Sequence, residues 1–320
     1  MATRTRYAPD RGLTVRMTAT MFLLGLVFVA FVALIIGLMT VAHASAGAII
    51  FVALLFGGGS AFISLFYSDK IALAAAGARE VSPQQDPELH AIVDRLCALA
   101  DMDKPRVAIA PAAMPNAFAT GRNSKNSVLC VTQGIRQRLN NEELEGVLAH
   151  ELSHVAHKDV QVMTYASLLA IVAGLLVRFA FYSEIFGGGR RIGGNNNNQA
   201  ALLIPLIMLV SALVYAISFL LIRMLSRYRE LAADRSGALL TGNPAALISA
   251  LRKVSDGMAR IPTQDLRSAE PLNAFYFAPA LKPHGQSLAN IFSTHPSLQK
   301  RIEELSKIQR QLNQITPGDQ

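Results

Sequence analysis

The chain has 320 residues, of which 52% are hydrophobic and 16% are charged, and its formal net charge is +8. Charged residues are absent from three stretches, residues 17–68, 160–177 and 192–222. Uncharged apolar runs of about 18 residues or more are typical of membrane spans, so a purely soluble enzyme and a disordered chain are both excluded. Although the net charge is positive, the sequence contains no basic run interleaved with aromatic residues, and this argues against a nucleic-acid partner.

Residues 1–70 predict an N-terminal transmembrane hairpin. Two apolar helices are expected, at residues 17–42 and 48–66, and a short polar turn at residues 43–45 joins them. The arginines that precede the first helix are Arg4, Arg6, Arg11 and Arg16. Because positively charged flanks remain on the cytoplasmic side, these arginines predict a cytoplasmic N-terminus.

Residues 71–159 have the composition of a soluble domain. Apolar residues at helical intervals predict a helix over residues 86–100, and two β-like stretches, residues 106–110 and 127–132, predict strands. A further helix is expected to begin at Asn141 and to run to about His157. Its first turn contains Glu142 and Glu143, which are favourable at the positive end of a helix dipole.

Residues 160–222 predict a second transmembrane pair. The run over residues 200–222 is long enough to span a membrane, whereas residues 160–177 are diluted by polar side chains. Between the two runs, residues 183–199 are rich in glycine and asparagine and predict a flexible polar loop. In residues 223–320 the composition is again that of a soluble domain, with helices expected over residues 227–240, 244–254 and 296–315. The first of these is expected to continue from the span over residues 200–222.

The sequence His150-Glu151-Leu152-Ser153-His154 lies on the helix predicted to begin at Asn141. Two histidines four residues apart stand about 40° apart around a helix, so both imidazoles can reach one metal ion. Glu151 can contact a water on that ion without binding the ion itself. This H-E-x-x-H pattern therefore predicts a catalytic zinc site.

A catalytic zinc ion needs a third protein ligand and an open fourth position for water. His157 and Asp159 follow the pair closely, but ligands in one row along a helix do not converge on a tetrahedral centre. Glu230 is better placed because it lies on a separate predicted helix. Asp234, one turn further along that helix, can accept the other ring N–H of a liganding histidine.

Four stretches of the chain together resemble the HtpX-type membrane zinc metalloproteases, which are relatives of the CAAX prenyl proteases. The stretches are Pro115 to Gly121 (PNAFATG), Ala149 to His154 (AHELSH), Ser226 to Asp234 (SRYRELAAD) and Thr294 to Arg301 (THPSLQKR). The order of two spans, the metal helix, two more spans and the glutamate is also similar. The resemblance implies a mainly α fold with a small β-sheet, an α+β zincin-like catalytic domain, and about four transmembrane helices.

The resemblance also implies roles for single residues. His150, His154 and Glu230 would bind one zinc ion per chain, Glu151 would act as the general base, and Asp234 would orient a liganding histidine. The further residues implied are His295 and Arg301 as oxyanion-stabilising groups, and Asn116, Ala117, Phe118 and Ala119 as an edge strand that binds an extended substrate. The two halves of the catalytic domain, residues 71–159 and 223–320, would each bring part of the metal site.

His154 and Glu230 can meet only if the chain between them crosses the membrane an even number of times. Since the first hairpin also crosses twice, the site is expected on the side of the arginine-rich N-terminus. The resulting prediction is an integral protein of a bacterial inner membrane with its catalytic domain in the cytoplasm. It would cleave membrane proteins or misfolded proteins in quality control and stress response, would contact the lipid bilayer, and could form homo-oligomers.

Two alternatives remain open on the sequence alone. One is a processing protease for a single class of prenylated or lipidated peptide. The other is a non-catalytic membrane scaffold with a structural metal site. A structural zinc site is normally closed by four protein ligands, and the sequence offers no convincing fourth.

Overall fold

The computed structural model describes residues 11–41, 59–121, 124–159, 161–164, 166, 173–174, 198–259 and 295–315. The chain forms two compact units. The first, here the sheet unit, comprises Met1–Thr14, Leu65–Gln161 and Ser226–Gln320. The second, here the apolar unit, comprises Val15–Ser64 and Val162–Leu225.

The helices and strands are numbered in chain order. They are α1 (Arg11–Val41), α2 (Gly59–Ala76), β1 (Arg79–Glu80), α3 (Pro87–Ala100), β2 (Arg106–Ala110), β3 (Ala117–Gly121), β4 (Ser127–Thr132), α4 (Gln133–Arg138), α5 (Asn141–Ala156), α6 (Asn198–Thr241), α7 (Pro244–Ala259) and α8 (Leu298–Ile315). The predicted mainly helical fold with a small sheet is confirmed.

The sheet has four strands in the order β1-β2-β4-β3. β2 and β4 run parallel, with Ala108 opposite Cys130. β3 runs antiparallel to β4, with Ala119 opposite Leu129, and β1 runs antiparallel to β2. The order leaves β3 at one edge of the sheet.

Both faces of the sheet are covered by helices of the sheet unit. Because alternate side chains of a strand point to opposite faces, Val107 and Leu129 belong to one core with Leu148 of α5. On the opposite face, Phe118 of β3 packs in a smaller core that includes Ala72 of α2. The edge strand is therefore fixed on both faces and lies against the helix that carries the H-E-x-x-H sequence.

α2 extends further than the apolar pattern predicts. The helix was expected to end at residue 66, but it continues through Asp69 and Lys70 to Ala76. The burial of Ala72 against the sheet explains the extension, because tertiary packing outweighs the loss of apolar periodicity. Residues 43–58, with the predicted turn and the start of the predicted second span, lie outside the described residues.

Two described helices are long and apolar enough to cross a membrane. The candidate spans are Thr14–Phe31 and Pro205–Thr241, the second of which lies within α6. Four spans are therefore not confirmed: most of the predicted span over residues 160–177 and the polar loop over residues 183–197 lie outside the described part of the chain. In the apolar unit, Phe22 is 74% and Leu209 is 68% exposed, as expected for side chains that face lipid.

α6 contains the predicted span together with the helix that was expected to continue from it. The apolar run over residues 200–222 and the helix over residues 227–240 form one helix from Asn198 to Thr241, although Pro205 lies within it. Proline removes one backbone hydrogen bond, and such a residue is tolerated in membrane helices. The residues predicted to complete the metal site are thus on the same helix as a candidate span.

The start of α5 is fixed by a reciprocal pair of hydrogen bonds. The Glu143 backbone N–H donates to Asn140 Oδ1 at 2.9 Å, and the Asn140 N–H donates to Glu143 Oε2 at 3.0 Å. The same carboxylate, which is buried, accepts from Ser249 Oγ at 2.6 Å and from Lys253 Nζ at 2.8 Å, both on α7. Burial acts to raise the pKa of Glu143, but the bonds from Lys253, Ser249 and Asn140 outweigh it and leave that pKa below its usual range.

We expect Glu143→Gln to destabilise the protein by about 1–2 kcal/mol at pH 7, since the substitution removes the charge that Lys253 pairs with. An unfolded glutamate has a pKa of about 4.3, and the folded value is lower, so this stabilisation is present above that pH and is lost as the pH falls through the folded pKa. Thermal unfolding in detergent should show a lower melting temperature for the variant at pH 7 and a smaller difference below about pH 4.

The matched control is Glu142→Gln, because Glu142 is exposed in the same helical turn. Its melting temperature should fall by less than that of Glu143→Gln, because an exposed charge in the first turn of a helix contributes only about 0.3–1 kcal/mol. A Glu143→Gln difference that is as large at pH 3 as at pH 7 would contradict the assigned role of the charge.

Candidate metal centre

α5 brings His150 and His154 to one face. The Nε2 atoms of the two rings are 3.3 Å apart, and the ring planes are nearly perpendicular. His150 is 1% exposed, so its ring is removed from water. Burial of an imidazole is costly unless its nitrogens have partners, and the neighbours of both rings therefore define the site.

Glu230 of α6 lies opposite the two histidines. Its Oε2 is 3.7 Å from His150 Nε2, and its Oε1 is 3.5 Å from His154 Nε2. An ion with tetrahedral bonds of about 2.0–2.2 Å holds its ligand atoms about 3.3–3.6 Å apart. The three side chains form a group that could hold a metal ion, with ligand atoms all within 4.8 Å of one another.

The opposite nitrogen of each ring faces a carboxylate. His150 Nδ1 is 3.0 Å from Asp234 Oδ1, and His154 Nδ1 is 2.5 Å from Asp159 Oδ2. A carboxylate can only accept, so each Nδ1 carries a ring proton, and each Nε2 can present a lone pair when it does not itself carry a proton. Two lone pairs and the Glu230 carboxylate at these distances repel one another unless a cation lies among them. The donor set therefore fits a metal ion.

Each of these two carboxylates is in turn paired with an arginine. Arg301 donates from Nε to Asp234 Oδ2 at 2.7 Å and from a terminal nitrogen to Oδ1 at 2.6 Å. Arg229 is 2.6 Å from Asp159 Oδ2. In both series of contacts an imidazole ring pairs with a carboxylate, which in turn pairs with a guanidinium group.

The sequence does not predict the contacts that link His154 to Asp159 and Asp159 to Arg229. It suggests Asp159 only as a possible metal ligand, and it suggests no role for Arg229. Two signals were available: Asp159 follows the second histidine by five residues, and Arg229 directly precedes Glu230. Neither spacing indicates a contact until the turn after α5 is known.

Without a metal ion, the surroundings of His154 favour a proton on the ring. Burial acts to lower the pKa of His154, but the hydrogen bond and the charge of Asp159, with the charges of Glu230 and Glu151, raise that pKa to about 9. A proton and a metal ion thus compete for the same nitrogen. Metal binding is therefore expected to release a proton and to weaken at low pH.

Glu151 lies beside the cluster and contacts the edge strand. Its Oε2 accepts a hydrogen bond from the Ala119 backbone N–H at 3.1 Å. Burial raises the pKa of Glu151 to about 8, with the charge of His154 acting in the opposite direction. A carboxyl group whose pKa lies near neutral pH is suited to take and return a proton.

His295 and Arg301 come from the C-terminal part of the chain. His295 precedes α8, is 6% exposed, and places its Nδ1 3.1 Å from Glu230 Oε2. Arg301, in the first turn of α8, is 2% exposed, and one of its terminal nitrogens is 3.9 Å from the same oxygen. The structure thus brings both residues to Glu230, and it directs the Arg301 guanidinium mainly to Asp234.

The strand β3 contains three of the four residues expected at the substrate edge. Ala117, Phe118 and Ala119 are in the strand, and Asn116 precedes it and donates its N–H to Thr132 Oγ1 at 2.9 Å. Among the described residues no strand pairs with the other side of β3. His157, the alternative third ligand, is exposed at the end of α5 and is not in the described metal-binding group.

Close contact between α5 and α6 depends on Gly237. A Cβ at this position would lie 2.8 Å from the backbone nitrogen of His150 and 3.1 Å from its Cα. Real Cβ atoms do not approach backbone atoms so closely, so any side chain here would push the helices apart. Gly237 lies about one turn beyond Asp234 on α6, and it permits the close approach of α6 to the backbone of His150.

Comparison with known proteins gives a consistent result. Residues 83–309 match the family model described as Peptidase family M48. A Streptomyces coelicolor protein described as Protease HtpX homolog 1 is 55% identical over 316 residues, which cover 98% of this chain and 99% of the relative. A Moorella thermoacetica protein described as Protease HtpX homolog is 48% identical over 312 residues, covering 97% and 99%.

A solved structure also resembles this chain in fold. The crystal structure of S. mikatae Ste24p aligns with a TM-score of 0.52 at 17% sequence identity, covering 91% of this chain and 67% of that one. At this identity the likeness concerns the fold alone.

We expect Gly237→Ala to weaken Zn²⁺ binding by on the order of tenfold, because the added methyl group displaces the backbone of His150 and with it a supporting contact of the site. Competition with a chromophoric chelator measures the affinity in detergent. Gly25→Ala is the control, since nothing lies within 4 Å of a Cβ added there. Equal affinities of the two variants would show that the helix spacing at Gly237 does not determine the site.

Proposed function

Because the chain belongs to peptidase family M48 and is a membrane-bound metalloprotease, we propose that it is a zinc endopeptidase that cleaves membrane and misfolded proteins in quality control. The observation that carries this proposal is the convergence of His150 Nε2, His154 Nε2 and one Glu230 carboxylate beside the Glu151 carboxyl group. Three protein ligands leave the fourth position of a tetrahedral ion for a reacting water, which distinguishes a catalytic from a structural site.

In this proposal His150, His154 and Glu230 hold one zinc ion per chain. When bound, the ion supplies Lewis acidity, which lowers the pKa of a water from 15.7 to about 7 and polarises the scissile carbonyl. The protein's own contribution is to hold the three ligands about 3.3–3.7 Å apart. Asp234 fixes the His150 imidazole ring in the tautomer that this role requires.

Glu151 acts as the general base. The Ala119 N–H bonds to Oε2 and fixes the orientation of the carboxylate, so Oε1 is the atom that takes the proton of the attacking water. The same carboxyl group then gives the proton to the nitrogen of the leaving amine. Burial supports this exchange, because it keeps the free energies of the protonated and ionised forms close near neutral pH.

His295 is proposed to stabilise the oxyanion that develops on the scissile carbonyl. Its ring is buried 3.1 Å from Glu230, which supports a position at the edge of the metal site. Arg301 was expected to act in the same way, but its two hydrogen bonds to Asp234 support a role mainly in holding that carboxylate. We assign it to hold Asp234 and to add positive charge near the oxyanion.

An extended substrate is proposed to pair with β3. Thr132 N–H donates to Asn116 O across the β3–β4 pair, so residues 116, 118 and 120 direct their backbone groups toward β4. Ala117, Ala119 and Gly121 then direct theirs to the outer edge, where an added strand would bond to the groups other than the Ala119 N–H, which donates to Glu151. Recognition through main-chain groups accepts many sequences, as a quality-control protease requires.

Membrane attachment supports substrates that lie in or near the bilayer. Glu230 is on the helix that contains the candidate span beginning at Pro205. We propose that the protein lies in a bacterial inner membrane with its catalytic domain in the cytoplasm, in accord with the arginines at residues 4–16. Homo-oligomers are compatible with this arrangement.

We expect Glu151→Gln to lower peptidase activity by about 10²–10⁴-fold without loss of zinc, because the general base is removed and the ligands remain. Glu230→Ala should lose both zinc and activity. His157→Gln is the matched control and should keep both, since that exposed ring is outside the ligand group. Atomic absorption on purified protein and cleavage of a fluorogenic peptide provide the two measurements.

Activity that survives in Glu151→Gln and is removed by a chelator would contradict the base assignment. Retention of one zinc per chain in Glu230→Ala, together with its loss in His157→Gln, would move the third ligand to His157. A zinc-loaded protein that cleaves no protein or peptide would favour the scaffold alternative.

We also expect the enzyme in proteoliposomes to cleave a destabilised variant of a membrane protein faster than its native form, because only an unfolded segment can extend along β3. Electrophoresis over time gives the two rates, and proteoliposomes with Glu151→Gln are the control for contaminating proteases. Equal cleavage of both forms, or efficient cleavage of a prenylated peptide alone, would favour the processing alternative.

A further inference from the structure

We propose that Asp159, held by Arg229, is a positioning residue that fixes the rotation of the His154 ring toward the metal, and that the turn at Lys158 brings it there. This inference rests on the metal site of the proposed function. It assigns a role to three residues that are not themselves ligands.

The turn after α5 explains how Asp159 reaches His154. In a continuous helix a residue five positions further on is rotated by about 140°, so residue 159 would face away from residue 154. Instead the helix ends at Ala156, and Lys158 has a φ of 57°. The reversal places Asp159 Oδ2 2.5 Å from His154 Nδ1.

Lys158 holds a backbone conformation that residues other than glycine rarely adopt. Such conformations persist where the surrounding contacts determine them, and they are concentrated at functional sites. Here the determining contacts are those of Asp159, which is 2% exposed. The unfavourable turn and the buried carboxylate are therefore two parts of one arrangement.

Arg229 fixes Asp159 from the opposite side. Its terminal nitrogen is 2.6 Å from Oδ2, the same oxygen that contacts His154. The Arg229 side chain is only 9% exposed, so the pair is shielded from water and from salt. Because Arg229 directly precedes Glu230, one turn of α6 supplies both a metal ligand and the group that orients another ligand.

A purely structural contact between the end of α5 and α6 is the competing explanation. A structural pair can be replaced by neutral groups of similar size, because removing both charges leaves none unpaired. A positioning carboxylate cannot be replaced in this way, since the His154 ring loses its charged acceptor. The double variant Asp159→Asn/Arg229→Gln therefore separates the two explanations.

The test uses full-length protein in detergent and Zn²⁺ as the probe, with chelator competition giving affinity and dissociation rate. We expect Asp159→Ala and the double variant to bind Zn²⁺ about 10–100-fold more weakly, the range usual for groups that orient metal ligands. Arg229→Gln should also weaken binding, and Arg229→Lys should recover part of the loss. Arg252→Gln, an exposed arginine on α7, is the matched control and should not change affinity.

A second pair of variants tests the turn. Lys158→Gly adopts a positive φ without strain and should keep full Zn²⁺ affinity, whereas Lys158→Val should lose affinity because a β-branched residue disfavours that conformation. Substitution of Co²⁺ gives an independent readout, since its visible absorption depends on ligand geometry. The spectrum should change in Asp159→Ala and in Lys158→Val but not in Lys158→Gly.

Unchanged Zn²⁺ affinity in Asp159→Ala, or full recovery of affinity in the double variant, would overturn the inference. So would equal affinities of Lys158→Gly and Lys158→Val. Failure of the proposed function has a different signature, because the unsubstituted protein would then bind Zn²⁺ no more tightly than Glu230→Ala does.

Discussion

The repulsion among buried acidic and imidazole groups is the constraint on which the site depends. Glu151, Glu230, Asp159 and Asp234 are all buried, and each is exposed by less than a tenth of its surface. Ionised carboxylates in such surroundings are unstable unless cations accompany them. Two guanidinium groups and the expected metal ion supply this charge, so the positions of arginines and ligands are determined together.

This requirement accounts for the way the chain is folded around the site. α5 contributes His150, Glu151 and His154, α6 contributes Glu230, and α8 contributes Arg301. Gly237 permits the close crossing of α5 and α6, while the Glu143 carboxylate joins the start of α5 to α7. These two contacts restrain the position of α5, which carries His150 and His154.

The proximity of His150, His154 and Glu230, a group that could hold a metal ion, was predictable from the sequence, and the contacts around these three side chains were only partly so. H-E-x-x-H on a helix places His150 and His154 on one face through helical geometry alone, and Glu230 and Asp234, four residues apart, likewise share one face of α6. Asp159 could not be assigned, because its position depends on a positive φ at Lys158 that lysine does not suggest. Strands β2 and β4 followed from their apolar pattern, whereas β1, with two residues, is too short to give one.

The single helix α6 carries both a candidate membrane span and Glu230 of the candidate metal site. Glu230 lies eight residues after the last residue of the uncharged run, about 12 Å along a helix that rises 1.5 Å per residue. Four residues of this helix lie within nine positions. Arg229 contacts Asp159, which follows α5, and Glu230 and Asp234 lie beside the His150 ring. Gly237 lies against the backbone of His150. A helix cannot turn about its axis without moving all of these groups at once. The helix that carries a candidate membrane span therefore also positions Glu230 and the side chains of Arg229 and Asp234 beside the histidines of α5.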